Sequence, residues 1–380
     1  MKKILFLGTH GQENWGDEIL LETFLKNLGK ENHYFINSYN PEKTLKRVLE
    51  LGFSAETFHT TKDKIKLLKF IWKSDLIFFG GGSIIKELNK ALKRNKYSSM
   101  FMVLFLVFFG KVFAGKKIIM SNIGIGPIKT KFGRFLARLI LFFVDKATLR
   151  DKKSFDLAKS FGVSESKISV VPDAVFSLEP EYFGKLQKSK KDKKVRIGLN
   201  LNYHIENLDN WNYFIENLKE VFFNLSEKVQ IKLVGVPMQT GFSRHDDIKT
   251  ISQFFSLLPE SIEKETPEIK SAQDLANTIS SCDIVLGERL HSLIIAAILG
   301  VPVFAMIYDV KVESLVKEWL FLDEFSVNIN EKFDKEKLEK GLLLLTERKS
   351  YESERLKKIS FDLFEKNLDY FRVLKKRFIY

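Results

Sequence analysis

Short apolar runs alternate with longer stretches of helical periodicity along most of the chain. Residues 4–7, 76–79 and 117–120 read as buried strands. Each gives way to a glycine-rich loop: Gly8-Thr9-His10-Gly11, Gly80-Gly81-Gly82 and Gly124-Ile125-Gly126-Pro127. Apolar strand, glycine loop, helix is the order of a parallel α/β sheet covered on both faces. A second set of runs at 195–200, 229–234, 284–286 and 301–306 is interleaved with helical stretches such as 208–223 and 292–299. Between the two sets, residues 185–194 are lysine-rich and almost free of apolar side chains, the composition of a linker. The pattern predicts an α/β chain of two Rossmann-like domains facing a cleft. The first covers 1–184, the linker 185–194 and the second 195–330, with helices over 331–380 packing across the domains. Ligands of open parallel sheets bind beyond the carboxyl ends of the strands, so chemistry is expected in the loops that follow them.

Composition narrows the classes. At 380 residues the chain is too long for one ordinary domain, and 45% hydrophobic residues suffice for a real core. The single cysteine, Cys282, excludes a disulfide framework and any multi-cysteine metal site. A net charge of +13 makes phosphorylated substrates and anionic surfaces candidate partners. Interleaved aromatic and basic nucleic-acid motifs are absent, so no nucleic acid is expected. The apolar run after Met1-Lys2-Lys3 stops at Gly8, short of a signal segment, and the longest run, 100–109, is too short to span a bilayer. A cytoplasmic protein is expected. Lys131, Arg134 and Arg138 fall on one helical face beside Phe132 and Phe135, and 100–109 is unusually apolar. These segments read either as core helices or as a basic amphipathic surface making peripheral contact with the inner face of a membrane.

Several loops carry candidate chemistry. Asn14-Trp15-Gly16-Asp17-Glu18 opens the helix over 19–28, where two acids complement the dipole. Asp17 is either a cap or a carboxylate that holds or deprotonates a substrate hydroxyl. Gly80-Gly81-Gly82-Ser83 and the Gly126 loop are either tight turns or places where backbone approaches a ligand. Arg150, at a strand end, is a solvated charge or a bidentate anion clamp, and Asp173 follows the next apolar run. The run 282–291 is the most informative: a strand ends in Gly287, and Arg289-Leu290-His291 opens a helix. An arginine can grip an anion there, and a histidine can give or take a proton. Lys311 adds positive charge after the next strand. His10 and His245 are further histidines within reach, and Asp246-Asp247 is a metal pair or a capping pair.

Taken together these loops resemble the polysaccharide pyruvyl transferase family. Its motifs stand in order as Asn14 to Glu18, Asp75 to Ser83, Gly124 to Pro127, Arg150 to Ser154, Asp173 to Phe176, Arg289 to His291, Gly300 to Pro302 and Tyr308 to Lys311. Two places depart: Glu288 stands where the family often has methionine, and Asn122-Ile123 where it often has a glutamine before the glycines. Both bear on acceptor choice. The resemblance implies a GT-B-like architecture and transfer of pyruvate from phosphoenolpyruvate to a sugar as a cyclic ketal. The acceptor is then a sugar of a cell-envelope polysaccharide or its lipid-linked precursor, on the N-terminal side, with the donor on the C-terminal side. Arg289, Leu290, His291, Arg150 and Lys311 would hold the donor, with His291 and Asp17 as acid and base. Asn14, Gly16, Gly80, Gly81, Gly82, Ser83, Gly126, Asp173 and His245 would line the substrate site. No metal or cofactor is expected, and activity should survive a chelator. A GT-B glycosyltransferase using a nucleotide sugar, and a non-catalytic binder of anionic polymers, are the rival readings.

Overall fold

All strand pairs in both sheets run parallel. The computed structural model describes residues 1–88, 95–186, 194–202, 208–241, 246–330 and 333–380. Most of the lysine-rich linker and His245 therefore lie outside the described residues. The first sheet comprises β1 (Lys3–Leu7), β2 (His33–Ser38), β3 (Ser54–His59), β4 (Leu76–Gly80), β5 (Lys117–Ile123), β6 (Lys146–Leu149) and β7 (Ile168–Val170). The second comprises β8 (Val195–Asn200), β9 (Ile231–Gly235), β10 (Glu263–Glu265), β11 (Ile284–Gly287), β12 (Val303–Ile307) and β13 (Ser326–Asn328). Their orders are β3-β2-β1-β4-β5-β6-β7 and β10-β9-β8-β11-β12-β13. Each sheet thus grows outward in both directions from its first strand, the doubly wound arrangement.

The helices start where a short polar side chain can take up free backbone N–H groups. Asn40, Thr130, Asp151, Asp246, Ser271 and Asp309 each accept such a bond. Central strands such as β4, with the sequence LIFFG, are buried at every position, as parallel strands between helix layers must be.

The chain forms two compact units whose limits differ from those the sequence suggests. The first comprises Met1–Gln12, Asp17–Ser177 and Glu365–Tyr380; the second comprises Glu13–Gly16 and Leu178–Phe364. The break falls at Ser177/Leu178 rather than in the lysine-rich stretch. The final helix, Lys349–Phe378, is divided between them. Its last part completes one face of the first unit. Phe371 meets Phe24 at 5.9 Å between ring centroids, and Phe24 meets Phe78 at 5.4 Å. Asn367 donates to the carbonyl of Asp173 at 3.1 Å, and the Tyr370 hydroxyl lies 2.7 Å from Ser121 Oγ. The opposite face packs Phe70, Val103, Leu106, Leu136 and Ile140 onto the sheet.

Phe371 is almost fully buried. Phe371→Ala should destabilise the first unit by about 3–5 kcal/mol, through lost burial and the cavity left behind. Urea unfolding followed by circular dichroism would register this as an earlier transition.

Candidate functional site

In the first unit the glycine loops serve mainly the protein's own side chains. A Cβ on Gly80 would lie 2.2 Å from the Phe6 ring, and one on Gly81 would lie 2.3 Å from Leu20. Gly81 also has a φ of +66°, which glycine alone adopts without strain. Gly82 is less crowded, its nearest neighbours at 3.8 Å. Gly124 makes room for Arg150, since a Cβ there would stand 2.8 Å from Nη2. That nitrogen donates to Ser83 Oγ at 2.9 Å. Arg150 is buried, so its guanidinium is fixed where the β4, β5 and β6 loops converge. Asp151 caps the following helix through Ser154 N at 2.6 Å, and Ser154 Oγ accepts from Ile125 N at 2.9 Å.

The departure at Asn122-Ile123 has a backbone cause. Asn122 sits at φ 54°, a left-handed conformation that asparagine tolerates far better than longer side chains. Its N–H donates to Thr148 Oγ1 at 2.9 Å, and its side-chain amide donates to the Pro172 carbonyl. Asp173 is buried and accepts from Val175 N at 3.1 Å. Gly126, also at positive φ, precedes the cis bond to Pro127.

The acids that open the helix Trp15–Leu28 separate in role. Glu18 is buried, accepting from Gly11 N at 2.7 Å and from Arg47 at 3.2 Å. Asp17 is only half-buried. His10 is buried against Phe6. Burial lowers its pKa from 6.5 to about 3.

The second unit gathers more charge. Arg289 stands in the turn after β11. Its Nε reaches Asp247 Oδ2 at 2.8 Å and its Nη2 reaches Oδ1 at 2.7 Å. Nη2 also donates to Asn202 Oδ1 at 2.9 Å, and the Arg289 N–H donates to Asn200 Oδ1 at 2.8 Å. The Asp247 side chain is 1% exposed and that of Arg289 13%. Asp247 Oδ2 also accepts from Met238 N at 2.9 Å and Gln239 N at 3.1 Å. Burial works against the charge on Arg289, but Asp247 more than offsets it, and the guanidinium pKa is raised. The forked pair leaves Nη1 as the side of Arg289 that is not turned to Asp247.

Glu288 is fully buried, and its Oε2 accepts from Asn202 N at 2.6 Å. Burial raises its carboxyl pKa well above the usual range, opposed by the Asn202 N–H and Arg289 and reinforced by Asp247 and Asp309.

Residues 13–16 belong to this second unit. Trp15 N donates to the Met238 carbonyl at 2.8 Å, Thr240 N donates to the Glu13 carbonyl at 3.1 Å, and Asn14 bridges Gln239. Asn14 Oδ1 accepts from Gly16 N at 3.0 Å, closing a tight turn. The turn brings Gly16 against His291: a Cβ on Gly16 would lie 2.1 Å from Nδ1. Gly16 is glycine because the imidazole occupies that space. The Asn-x-Gly motif at the chain's start and the Arg-x-His motif near residue 290 thus meet.

A model of the polysaccharide pyruvyl transferase family matches residues 14–310. The chain belongs to that family. Among curated proteins none matches the sequence. Solved structures match over nearly the whole chain at low identity. The Anabaena protein HepE, solved with UDP, has a TM-score of 0.64 and 13% identity over 98% of this chain and 100% of its own. A glycosyltransferase from Rickettsia africae has a TM-score of 0.61 and 15% identity over 97% and 94%. UDP-GlcNAc 2-epimerase from Neisseria meningitidis, bound to UDP-GlcNAc, has a TM-score of 0.58 and 14% identity over 97% and 100%. These likenesses establish the fold of this pyruvyl transferase family member as two Rossmann-like units of GT-B type.

Of the residues expected from the sequence, Arg289, Leu290, His291, Asn14 and Gly16 come together in the second unit. Arg150, Ser83, Gly82 and Asp173 occupy the strand ends of the first, where Gly80 and Gly81 are filled by Phe6 and Leu20. Lys311 lies in the first turn of the helix Val310–Ser314, 3.3 Å from Asp309 Oδ2. Asp246 and Asp247 act separately, the first as a helix cap and the second as the partner of Arg289. Asn200 and Asn202 were missed. Their signal was two amides at the end of an apolar strand, in the run Gly198-Leu199-Asn200-Leu201-Asn202.

Two outcomes test this geometry. Asp247→Ala should cost about 3–5 kcal/mol, because it strands a buried guanidinium. It should cost more than Arg289→Ala, because Asp247 also serves two backbone N–H groups. The double variant should lose much less than the sum, which a denaturant double-mutant cycle would measure. For His10, the two states are equally neutral above pH 6.5. As the pH falls from 6.5 towards 3, the unfolded chain takes up the proton first. Stability then drops by about 1.4 kcal/mol per pH unit. His10→Leu should flatten that part of the acid-unfolding curve, and an unchanged slope would contradict it.

Proposed function

We propose that the protein transfers the enolpyruvyl carbons of phosphoenolpyruvate to two hydroxyls of an envelope or exopolysaccharide sugar, as a cyclic ketal. The observation that carries this reading is the packing of His291 on Gly16, beside an arginine held in a fixed orientation by Asp247. Phosphoenolpyruvate is a small trianion, so its site needs oriented cations, and a guanidinium pinned on one edge presents the other without losing side-chain freedom on binding.

The reaction conserves its atoms simply. One proton goes to the methylene carbon, which becomes the methyl group. The first sugar oxygen bonds to the central carbon, the bond from that carbon to the phosphate oxygen breaks, and the second sugar oxygen closes the ketal. The two hydroxyls release two protons; one balances that taken by the methyl group and the other leaves on the phosphate. In this reading His291 carries a proton between phosphate and hydroxyl, and its ring is kept in place by the Gly16 turn. Arg289 stabilises the charge on the donor, and Lys311 is a further cation for it. Asp17, next to Gly16 in the chain, receives or anchors the acceptor hydroxyl. Glu288 accepts from the Asn202 N–H and so fixes that stretch of backbone.

A nucleotide-sugar glycosyltransferase is the second reading. The observation in its favour is the set of structural neighbours solved with UDP, UDP-glucose or UDP-GlcNAc.

Thermal shift separates the two. Phosphoenolpyruvate at about 100 times its Kd should stabilise the protein by about 2.7 kcal/mol, with UDP-glucose giving no shift. His291→Gln should retain that shift yet lose about 10²- to 10⁴-fold in acceptor-dependent phosphate release. A shift with UDP-glucose alone would overturn the pyruvyl transfer reading.

A further inference from the structure

One face of the first unit is built unlike the rest of the surface. The helices Lys64–Lys73, Ser98–Phe108 and Lys131–Phe143, with the turn Phe109–Phe113, pack on the same side of the sheet through one core. Each buries one side and leaves large apolar residues on the other. Phe142 is 68% exposed, Phe113 59%, Trp72 55% and Phe135 54%. Aromatic contacts gather them into two clusters, one running from Trp72 through Phe109 and Phe113 to Phe142 and the other from Phe101 through Phe132 to Phe135. Phe101 meets Phe132 at 6.1 Å, Phe108 meets Phe143 at 5.3 Å, and Trp72 meets Phe109 at 6.2 Å. The segments are therefore neither wholly core helices nor ordinary solvated ones. Exposed apolar patches of this extent mark interaction sites.

The charge pattern identifies the occupant. None of these four segments contains an aspartate or glutamate. They carry Lys64, Lys66, Lys69 and Lys73 on the first helix and Lys131, Arg134 and Arg138 on the third. The bordering carboxylates are engaged: Asp63 accepts from His59 N, Glu87 from Thr130 N and Asp145 from Lys111. Aromatic side chains among cations without acids match the interfacial zone of an anionic bilayer, where rings enter the acyl boundary and amines meet headgroups. No helix among the described residues is long and apolar enough to cross a membrane. A second copy of the same face would set these cations against one another.

We infer that this face docks the protein on the surface of an anionic lipid bilayer. The inference stands apart from the donor chemistry, because its readout is lipid binding.

The full chain is sedimented with phosphatidylcholine vesicles, with and without phosphatidylglycerol, at low and high salt. Binding should need the anionic lipid and weaken with salt. Phe135→Ser/Phe142→Ser and Lys131→Glu/Arg138→Glu should each lower partitioning at least about tenfold, with melting temperatures unchanged, since the four side chains are exposed. Phe142→Trp, which keeps the aromatic surface, should gain emission that brominated lipid quenches. Equal sedimentation with and without phosphatidylglycerol, or no quenching, would overturn the inference. So would a dimer in solution that the Phe→Ser pair dissolves, which would make the face a self-association surface.

Discussion

A parallel strand covered by helices on both faces has no wet side on which to carry polar chemistry. In both units this constraint sends every candidate functional group to the strand ends. Asn200 closes β8, the Asp247 loop follows β9, Glu288 to His291 follow β11, and Tyr308 to Lys311 follow β12. Because the strands are parallel and in register, these loops emerge on one edge. Side chains distant in sequence become neighbours without any special device. The Arg289–Asp247 pair spans 42 positions, and the Asn202–Glu288 contact spans 86.

That edge is electrostatically unusual. A guanidinium and a carboxylate sit almost out of water, with every oxygen of the carboxylate in use. Such pairs contribute little net stability relative to apolar residues, but they fix geometry strongly, because breaking either partner leaves a buried charge. Beside them Glu288, its carboxyl pKa raised by burial, accepts from a backbone N–H. One side of the arginine is therefore held by protein. In the first unit Arg150 reaches a comparable state by different means, lodged where Gly124 lacks a side chain and Ser83 accepts from it.

The central strands were legible because they are unbroken apolar runs, and β8 matches its expected range. The edge strands were not. β10 is Glu-Lys-Glu and β3 is Ser-Ala-Glu-Thr-Phe-His, sequences whose place in the sheet comes from neighbours rather than their own hydrophobicity. The Arg-Leu-His and Asn-x-Gly motifs were legible as motifs. Their meeting was not, because nothing local in 13–16 says that it packs beside residues 238–240. A glycine at a strand end looks the same in sequence whether it makes room for a ligand or, in its Cβ direction, for Phe6 or Leu20 as at Gly80 and Gly81. Asp246 and Asp247 were legible as a metal pair or a capping pair; the helix start turns the first outward as a cap and the second inward to Arg289, a split that adjacency in sequence does not reveal.

The exchange of short segments between the units constrains how the chain can be made. Residues 13–16 emerge from the ribosome before any of the unit they complete, and residues 365–380 emerge after all of the second unit. At about 5–20 residues per second, the first unit waits on the order of 10–40 s for Asn367, Tyr370 and Phe371 to close its face. During that interval the Phe24 and Phe78 surface is uncovered. The N-terminal unit is thus the first begun and the last finished, so a frameshift or a stop codon near position 365 would damage the half of the protein farthest from it in sequence.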